Sequence, residues 1–350
     1  MTHIKDTRLY KEIHQQPEVI SKLVNQPQEA IKTLAARIKA RKINHVFIAA
    51  RGTSDNAGRY AKYLLGAHNN LVVSLATPSL FTIYQQPPDL SDSLVLGISQ
   101  SGKSPDIVSV VAEGKRQGAL TTAITNIPNS DLAQAAEIVL DLQAGDEISL
   151  AATKTYTAQL ATLAILSAEL APSEQFLHDL ADLPSKVTAV YEDESTISAL
   201  AERYRYMTHC VIIGRGFNYA SAFELSLKMK ELTYTIAEPY SSADFLHGPV
   251  ALVDKGFPVF VIAPDGKMVP EMKALVEKVK IRHAEVVMFS DRNDLLDVAD
   301  HKLTLPTGVP EWLSPITSIL PGQMFAMYLA QSRGIDVDQP RGLSKVTETW

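Results

Sequence analysis

The chain has 350 residues, of which 46% are hydrophobic and 21% are charged, and its formal net charge is −6. This is the composition of a globular protein, and it excludes a disordered or fibrous one. Non-specific binders of nucleic acids and of anionic membranes need a basic surface, so the acidic balance predicts neither kind of partner.

The chain contains one cysteine, Cys210, which excludes an intrachain disulfide, a CxxC redox pair and a cluster of thiolate metal ligands. There is also no HExxH motif, so we expect no metal site and no cofactor. The first residues lack the apolar core of a signal peptide, and no stretch approaches the roughly 18 apolar residues that span a bilayer. These features predict a cytoplasmic protein.

The sequence repeats itself at a single offset of 164 residues (from residue 94 to residue 258). The apolar run 94–98 matches residues 258–262, and the run 120–125 matches residues 284–289. The period is far longer than that of solenoid repeats, which is about 20 to 50 residues. The repeat therefore indicates the duplication of a whole domain.

Short apolar runs alternate with segments of helical period, which is typical of parallel strands covered on both faces by crossover helices. The predicted helices include residues 56–67, 105–117, 154–170, 219–233 and 270–283. We predict an α/β fold with two tandem doubly wound parallel-sheet domains. Its parts are an N-terminal helical appendage (1–34), a first domain (35–175), a linker (176–200), a second domain (201–335) and a C-terminal tail (336–350).

One candidate site is the loop that follows the apolar run 94–98 in the first half. Three hydroxyls, a glycine and the start of a helix supply convergent donors for a phosphate, and Lys103 adds charge. The second half has Ala263-Pro264-Asp265-Gly266 at this place. Spacing alone is equally compatible with a Ser-rich turn in which Ser104 caps the following helix. The candidate phosphate ligands are Ser99, Gln100, Ser101 and Ser104.

A second loop, Arg51-Gly52-Thr53-Ser54, also follows a strand and offers hydroxyls at the start of a helix. In a doubly wound sheet the two loops lie side by side, so together they predict a phosphate cup. For Ser54 alone, a role as cap of a helix beginning near Asn56 is the favoured interpretation. Thr53 is the stronger candidate ligand.

The second half carries candidate acid and base groups. Glu224, Lys228 and Glu231 share one face of a predicted helix, where Glu224 and Lys228 are also compatible with a solvated surface pair. His247 lies in a turn made by Gly248 and Pro249, and a loop histidine near a carboxylate suits proton transfer.

Residues 214–219 have a superficial likeness to a dinucleotide fingerprint. Tyr219 occupies the place of the third glycine, where close helix packing is needed. The sequence therefore argues against a nicotinamide cofactor.

Taken together, these motifs resemble the double sugar-isomerase (SIS) family, whose domains have a flavodoxin-like fold. The likeness spans essentially the whole chain and is greatest to the isomerase module of glucosamine-6-phosphate synthase. The segments that carry it are Arg51 to Ser54, Ser99 to Gly102, Glu147 to Lys154, Glu224 to Glu231, His247 to Pro249 and Asp336 to Arg341.

The resemblance implies a role for each matched residue. Glu231 matches the base that moves a proton between C1 and C2, and Lys228 matches a lysine close to that base. His247 matches a ring-opening histidine that, in this family, comes from the partner subunit, which implies a homodimer. Lys345 matches a C-terminal lysine that engages the open-chain sugar, with or without a Schiff base. The implied sugar-phosphate ligands are Thr53, Ser54, Ser99, Gln100, Ser101, Ser104 and Lys228.

The sequence departs from the synthase pattern at Arg51, at Lys103-Ser104-Pro105 and at Ala152, where a sugar-binding serine is usual. It also lacks the glutaminase domain that supplies ammonia to the synthase. We therefore expect the reverse process, in which glucosamine 6-phosphate gives fructose 6-phosphate and ammonia. One alternative is a deglycase or isomerase for fructosamine phosphate or galactosamine phosphate. The other is a non-catalytic sugar-phosphate sensor. Such sensors usually carry a DNA-binding domain, and residues 1–35 are too few to form one.

Overall fold

The computed structural model of the protein describes residues 3–26, 28–342 and 344–345. These residues form two compact units. The N-terminal unit comprises Glu18–Ile148, Lys154–Ala181 and residues 344–345, and the C-terminal unit comprises the residues up to Pro17, Ser149–Thr153 and Asp182 to residue 342. Within the described residues, no helix is long and apolar enough to cross a membrane.

Each unit is built on a five-stranded parallel sheet, and all ten strands are short. The strands of the first sheet are β1 (His45–Ala49), β2 (Val72–Leu75), β3 (Leu94–Ile98), β4 (Leu120–Thr125) and β5 (Ile138–Asp141). Those of the second are β6 (His209–Gly214), β7 (Ile236–Ser241), β8 (Pro258–Ile262), β9 (Glu285–Ser290) and β10 (His301–Thr304). The orders β2-β1-β3-β4-β5 and β7-β6-β8-β9-β10 are the same, as a duplication requires.

The described residues contain α-helices and short 3₁₀ segments between the strands. The α-helices are α1 (Arg8–His14), α2 (Gln16–Asn25), α3 (Glu29–Ala40), α4 (Gly52–Asn69), α5 (Ser79–Thr82), α6 (Pro105–Arg116), α7 (Asp131–Ala135), α8 (Lys154–Leu170), α9 (Glu174–Ala189), α10 (Glu194–Arg203), α11 (Tyr219–Thr233), α12 (Ser242–Leu246), α13 (Val269–Ile281), α14 (Asn293–Leu296) and α15 (Ser314–Ser332). The 3₁₀ segments are Ile4–Asp6, Val190–Asp193, Gly216–Asn218 and Pro249–Leu252.

The central strands are hydrophobic because helices cover both faces of each sheet. All residues of β3 and β4 are buried, as is nearly all of α8 in the N-terminal unit and of α15 in the C-terminal unit. These two helices are buried around almost their whole circumference, which is typical of a helix inside a core. Helices with one face exposed to solvent, such as α6, carry charged residues on that face.

The predicted α/β fold of two duplicated, doubly wound parallel sheets is confirmed. The predicted helices at residues 154–170 and 219–233 match α8 and α11 in both bounds. α4 begins at Gly52, four residues before the predicted start at Asn56. The segment predicted as a linker, residues 176–200, consists mainly of α9 and α10.

Candidate active site

The two hydroxyl-bearing loops lie at the switch point of the first sheet. β1 pairs with β2 on one side and with β3 on the other, so the chain leaves β1 and β3 in opposite directions. In open α/β sheets, ligands bind in the crevice at the carboxyl ends of two such strands. The loops after β1 and β3 are therefore the ones that the topology favours for a ligand.

The loop after β1 passes directly into α4. Gly52 has φ +51°, and a Cβ built there would meet no atom within 4 Å. Glycine is therefore favoured at this position by the left-handed backbone conformation and not by steric crowding. Thr53 follows in the first turn of α4, partly exposed.

Ser54 does not cap this helix, because α4 begins two residues before it, and the capping interpretation is therefore wrong. Its side chain is buried, and its Oγ accepts a hydrogen bond of 3.0 Å from Gln159 Nε2. The hydroxyl of Ser54 thus ties α4 to α8.

The loop after β3 is held rigidly by backbone contacts. Ser99 Oγ accepts a hydrogen bond of 3.1 Å from the Gly102 amide, and the Gly102 carbonyl accepts one of 3.0 Å from Leu132. The Gln100 carbonyl accepts a bond of 3.2 Å from the Asn126 amide. The loop therefore has a fixed shape, with Gln100 and Ser101 partly exposed.

Gly102 is required for steric reasons. Its φ is +62°, and a Cβ at this position would lie 2.1 Å from Ser130 Oγ. No L-residue with a side chain fits there without displacing Ser130.

Ser104 occupies the N-cap position of α6, followed by Pro105 in the first turn, but its side chain makes no capping hydrogen bond. The alternative in which Ser104 is the N-cap residue of α6 is therefore confirmed in position, although the hydroxyl does not bond the helix amides. The side chain is partly exposed at the start of the helix, where amide groups favour an anion.

An ion pair joins the starts of α4 and α6. Arg51 Nε donates to Asp106 Oδ2 at 2.8 Å, and the Asp106 carboxylate is fully buried whereas half of the Arg51 side chain is exposed. Asp106 Oδ1 also accepts a hydrogen bond of 2.9 Å from the Ile107 amide. Asp106 is not among the candidate residues predicted from the sequence, because an acidic residue in the first turn of a helix is too common to be a distinct signal.

A second buried carboxylate of the N-terminal unit holds Lys345. Lys345 Nζ donates to Glu147 Oε2 at 3.3 Å, and the same carboxylate accepts hydrogen bonds from Thr155 N at 3.1 Å and Thr155 Oγ1 at 2.7 Å. Glu147 is fully buried, and about a quarter of the Lys345 side chain is exposed. Glu147 was part of a matched motif but had no assigned role. Of the predicted C-terminal tail, residue 343 and residues 346–350 lie outside the described residues.

The three charged residues of α11 form one compact group. Lys228 Nζ lies 2.6 Å from Glu231 Oε2 and 3.4 Å from Glu224 Oε1. Lys228 and Glu224 are 1% and 0% exposed, so the interpretation as a solvated surface pair is wrong. Glu231 keeps 21% of its side chain accessible. The group therefore has one carboxylate sealed inside and one that solvent or a substrate reaches.

His247 is exposed at the end of the short helix α12. Its backbone amide donates to the Asp244 carbonyl at 3.2 Å, and the next residue, Gly248, has φ +153°. The described residues give its imidazole no hydrogen bond or ion pair, so the ring is presented outward from the C-terminal unit.

The C-terminal unit lacks an equivalent phosphate loop. At the matching turn, Glu311 Oε2 accepts a hydrogen bond of 3.0 Å from the Lys267 amide. A Cβ on Gly266 would lie 2.4 Å from Glu311 Cδ. The carboxylate thus occupies the space next to this turn and repels a second anion.

Within the described part of the chain, no group of three or more His, Cys, Asp or Glu side chains is arranged to hold a metal ion.

Two duplicated doubly wound domains, the first with a hydroxyl-lined loop pair at its switch point, define a class of α/β proteins. A family model described as the SIS domain matches residues 39–168 and 206–333. The chain belongs to the SIS domain family.

The chain is homologous to the isomerase module of glutamine–fructose-6-phosphate aminotransferase. It is 35% identical over 347 residues to the isomerizing aminotransferase of that name from Thermococcus kodakarensis, covering 96% of this chain and 57% of the relative. The chain thus spans little more than half of that protein's length.

Solved structures show the same relationship. The C-terminal domain of glucosamine-fructose-6-phosphate aminotransferase from Francisella tularensis is 30% identical, with a TM-score of 0.87 and coverage of 96% of this chain and 98% of that one. A glucosamine-6-phosphate deaminase from Thermotoga maritima has the same fold, with a TM-score of 0.77 at 22% identity and coverage of 98% and 100%.

Proposed function

We propose that this protein is a phosphosugar isomerase of the SIS type that deaminates glucosamine 6-phosphate. It converts that sugar and water to fructose 6-phosphate and ammonia through a proton shift from C2 to C1. The names of the relatives support this substrate class, since the aminotransferases and the Thermotoga deaminase are all named for hexose 6-phosphates or their amino sugars.

The observation that carries the proposal is the position of Glu231. A base that moves a proton between carbon atoms must reach the substrate and must keep one orientation. Glu231 is partly accessible, and a hydrogen bond of 2.6 Å from the buried Lys228 fixes its carboxylate. In this proposal the free oxygen of Glu231 takes the C2 proton and returns it to C1.

Phosphate binding is assigned to the two loops of the N-terminal unit. The ligands are Thr53, Ser99, Gln100, Ser101 and Ser104, with hydroxyls, amides and two helix starts as donors. Ser54 is buried against Gln159 and supports the loop from behind. The rigid backbone of residues 99–104 lowers the entropy cost of ordering these donors around the phosphate.

The reaction then proceeds in three steps. His247 passes a proton between O5 and O1 to open the sugar ring, and Lys345, held by Glu147, orients the open-chain carbonyl. Glu231 shifts the proton from C2 to C1, and a second proton passes from the amino nitrogen to O1, which leaves an imine at C2 and a hydroxyl at C1. Water adds to this imine, the C–N bond breaks, and ammonia leaves with a proton from water, giving the C2 ketone of fructose 6-phosphate.

The proposal includes a homodimer in which His247 serves the partner's site. The exposed imidazole at the end of α12 supports this, because a side chain that acts in another subunit must project from its own. Sedimentation of the purified protein measures the oligomeric state. A monomer with full activity would contradict this part of the proposal.

The test of the function is incubation with glucosamine 6-phosphate, followed by enzymatic assay of ammonia and fructose 6-phosphate, with galactosamine 6-phosphate in parallel. We expect both products in equal amounts. Interconversion of glucose 6-phosphate and fructose 6-phosphate, with no ammonia released from amino sugars, would replace the deaminase by a simple isomerase. Binding of these sugars with no turnover would replace it by a sensor.

A further inference from the structure

We propose that Arg51, oriented by the buried Asp106, is a specificity-determining contact to the phosphate group of the substrate. This inference rests on the proposed phosphate site between the two loops of the N-terminal unit. It adds a charged, directional donor to the hydroxyls and amides of the two loops.

The ion pair fixes the guanidinium by one edge only. Arg51 Nε donates to Asp106 Oδ2, and within the described residues no further hydrogen bond or ion pair within 4 Å engages Nη1 or Nη2. Burial raises the pKa of the nearby Asp55 carboxyl, and the charge of Arg51 also acts on this group, lowering its pKa by less than burial raises it. Half of the side chain is exposed. Because a guanidinium is planar and carries five N–H donors, anchoring Nε sets the plane in which the other four point.

The position of the pair in the fold favours a ligand at the phosphate loops. Arg51 is the N-cap residue of α4, and Asp106 lies in the first turn of α6, directly after the loop of residues 99–104. Their bond therefore bridges the starts of the two helices whose loops carry the candidate phosphate ligands. A phosphate between these loops accepts charge-assisted hydrogen bonds from Nη atoms in the geometry that arginine matches best.

Asp106 also makes the pair necessary for charge balance. A fully buried carboxylate is costly unless a cation accompanies it, and unpaired it repels a phosphate nearby. If Arg51 had a purely structural role, it would only neutralise Asp106. Removing the charge of Asp106 together with Arg51 distinguishes this structural role from a role in phosphate binding.

The decisive variant is therefore the double substitution Arg51→Met with Asp106→Asn, compared with Asp106→Asn alone. Binding of fructose 6-phosphate and of inorganic phosphate is measured by calorimetry, and folding by the melting temperature. We expect the double variant to melt close to the wild type and to bind both probes about 10- to 100-fold more weakly than Asp106→Asn alone. The control Arg116→Met, at the exposed far end of α6, should bind as the wild type does.

Arg51→Lys is the second variant, because it keeps the charge next to Asp106 but loses the planar fork. We expect it to fold normally and to bind both probes more weakly than the wild type. Unchanged binding of both probes in the double variant would overturn the inference and leave Arg51 a structural counterion. Weaker binding of fructose 6-phosphate with unchanged binding of inorganic phosphate would also overturn it, because Arg51 would then touch the sugar.

These readouts do not depend on turnover. If the wild type binds fructose 6-phosphate but releases no ammonia from glucosamine 6-phosphate, the deaminase proposal fails and the role of Arg51 is still decided by the binding data. If the wild type binds neither probe, the phosphate site and the inference about Arg51 both fail.

Discussion

Lys228 Nζ lies 2.6 Å from Glu231 Oε2, within a group that also places Glu224 Oε1 3.4 Å from the same nitrogen. One buried ammonium thus serves two carboxylates of a single helix, spaced so that all three side chains share a face. Glu224 is sealed and balances the lysine charge, whereas Glu231 has an accessible oxygen. Glu224 therefore contributes to the stability of α11, whereas Glu231 is available for the proposed chemistry.

Glu231→Gln keeps the shape and the hydrogen-bonding capacity of the side chain but removes the base. We expect turnover of glucosamine 6-phosphate to fall by about 10²- to 10⁴-fold, with little change in the binding of fructose 6-phosphate. Ammonia release and calorimetry measure the two quantities. Glu277→Gln, on the exposed surface of α13, is the matched control and should keep full activity. Full activity of Glu231→Gln would remove this residue from the mechanism.

Lys228→Met tests the charge balance of the same group. The substitution removes the ammonium beside the buried carboxylate of Glu224, so we expect the free energy of unfolding to fall by about 3–5 kcal/mol. Adding Glu224→Leu removes this buried carboxylate as well and should restore most of this loss, as measured by urea unfolding. Turnover should stay low in both variants, because Glu231 has lost its hydrogen-bond donor. Equal stability of the single variant and the wild type would contradict the role given to Lys228.

The topology of both sheets was predictable from the sequence because a parallel strand buried on both faces is a continuous apolar run. β3 and β8 coincide with the repeated segments 94–98 and 258–262 in both bounds. The start of α4 was not predictable in the same way. Gly52 adopts φ +51° as the first residue of this helix, and a glycine there more often marks a turn.

The candidate site was predictable where loop residues carry distinctive chemistry, and less so where burial decides the role. Glu224 and Lys228 have the spacing of a surface pair, and only tertiary packing places them in the interior. Asp106 and Glu147 are single acidic residues whose partners, Arg51 and Lys345, lie 55 and 198 positions away. No local pattern reports such contacts.

Gly102→Ala tests the fixed shape of the phosphate loop. The new Cβ would lie 2.1 Å from Ser130 Oγ, and alanine disfavours φ +62° by about 1–2 kcal/mol. We expect a loss of stability of more than about 2 kcal/mol and weaker binding of fructose 6-phosphate, as measured by urea unfolding and calorimetry. Gly118→Ala is the control, because its φ is +84° but no atom lies within 4 Å of its Cβ position. Gly118→Ala should lose only the stability that the unfavourable backbone conformation costs, and it should bind fructose 6-phosphate normally. An equal loss of binding in both variants would argue against the loop's role.

The contrast between the two units predicts the number of phosphate sites. The Glu311 carboxylate fills the turn of the C-terminal unit that corresponds to residues 99–104, so this turn repels a phosphate. We therefore expect a calorimetric titration with fructose 6-phosphate to saturate at about one ligand per chain. A stoichiometry of two per chain would mean that the C-terminal unit also binds the sugar phosphate.

Cys210, on β6, gives a prediction that concerns stability and pH. Burial raises the pKa of its thiol to about 12, and the nearby charges of Arg333 and Lys230 only partly oppose this shift. The unfolded thiol has an ordinary pKa of about 8.5, so its contribution to stability is complete below that pH and is lost as the pH rises toward 12. Between about pH 9 and pH 11, the free energy of unfolding should fall by about 1.4 kcal/mol per pH unit through this group alone.

Cys210→Val removes the titrating group while keeping an apolar side chain of similar size. Guanidinium unfolding of the wild type and of Cys210→Val at pH 8 and pH 10 isolates the contribution of the thiol, because all other groups titrate in both proteins. We expect the wild type to lose more stability than the variant over this interval. The native protein should also resist thiol reagents at pH 8, since Cys210 is 2% exposed and un-ionised. Equal pH dependence in the two proteins, or rapid labelling of the folded chain, would show that the thiol is accessible.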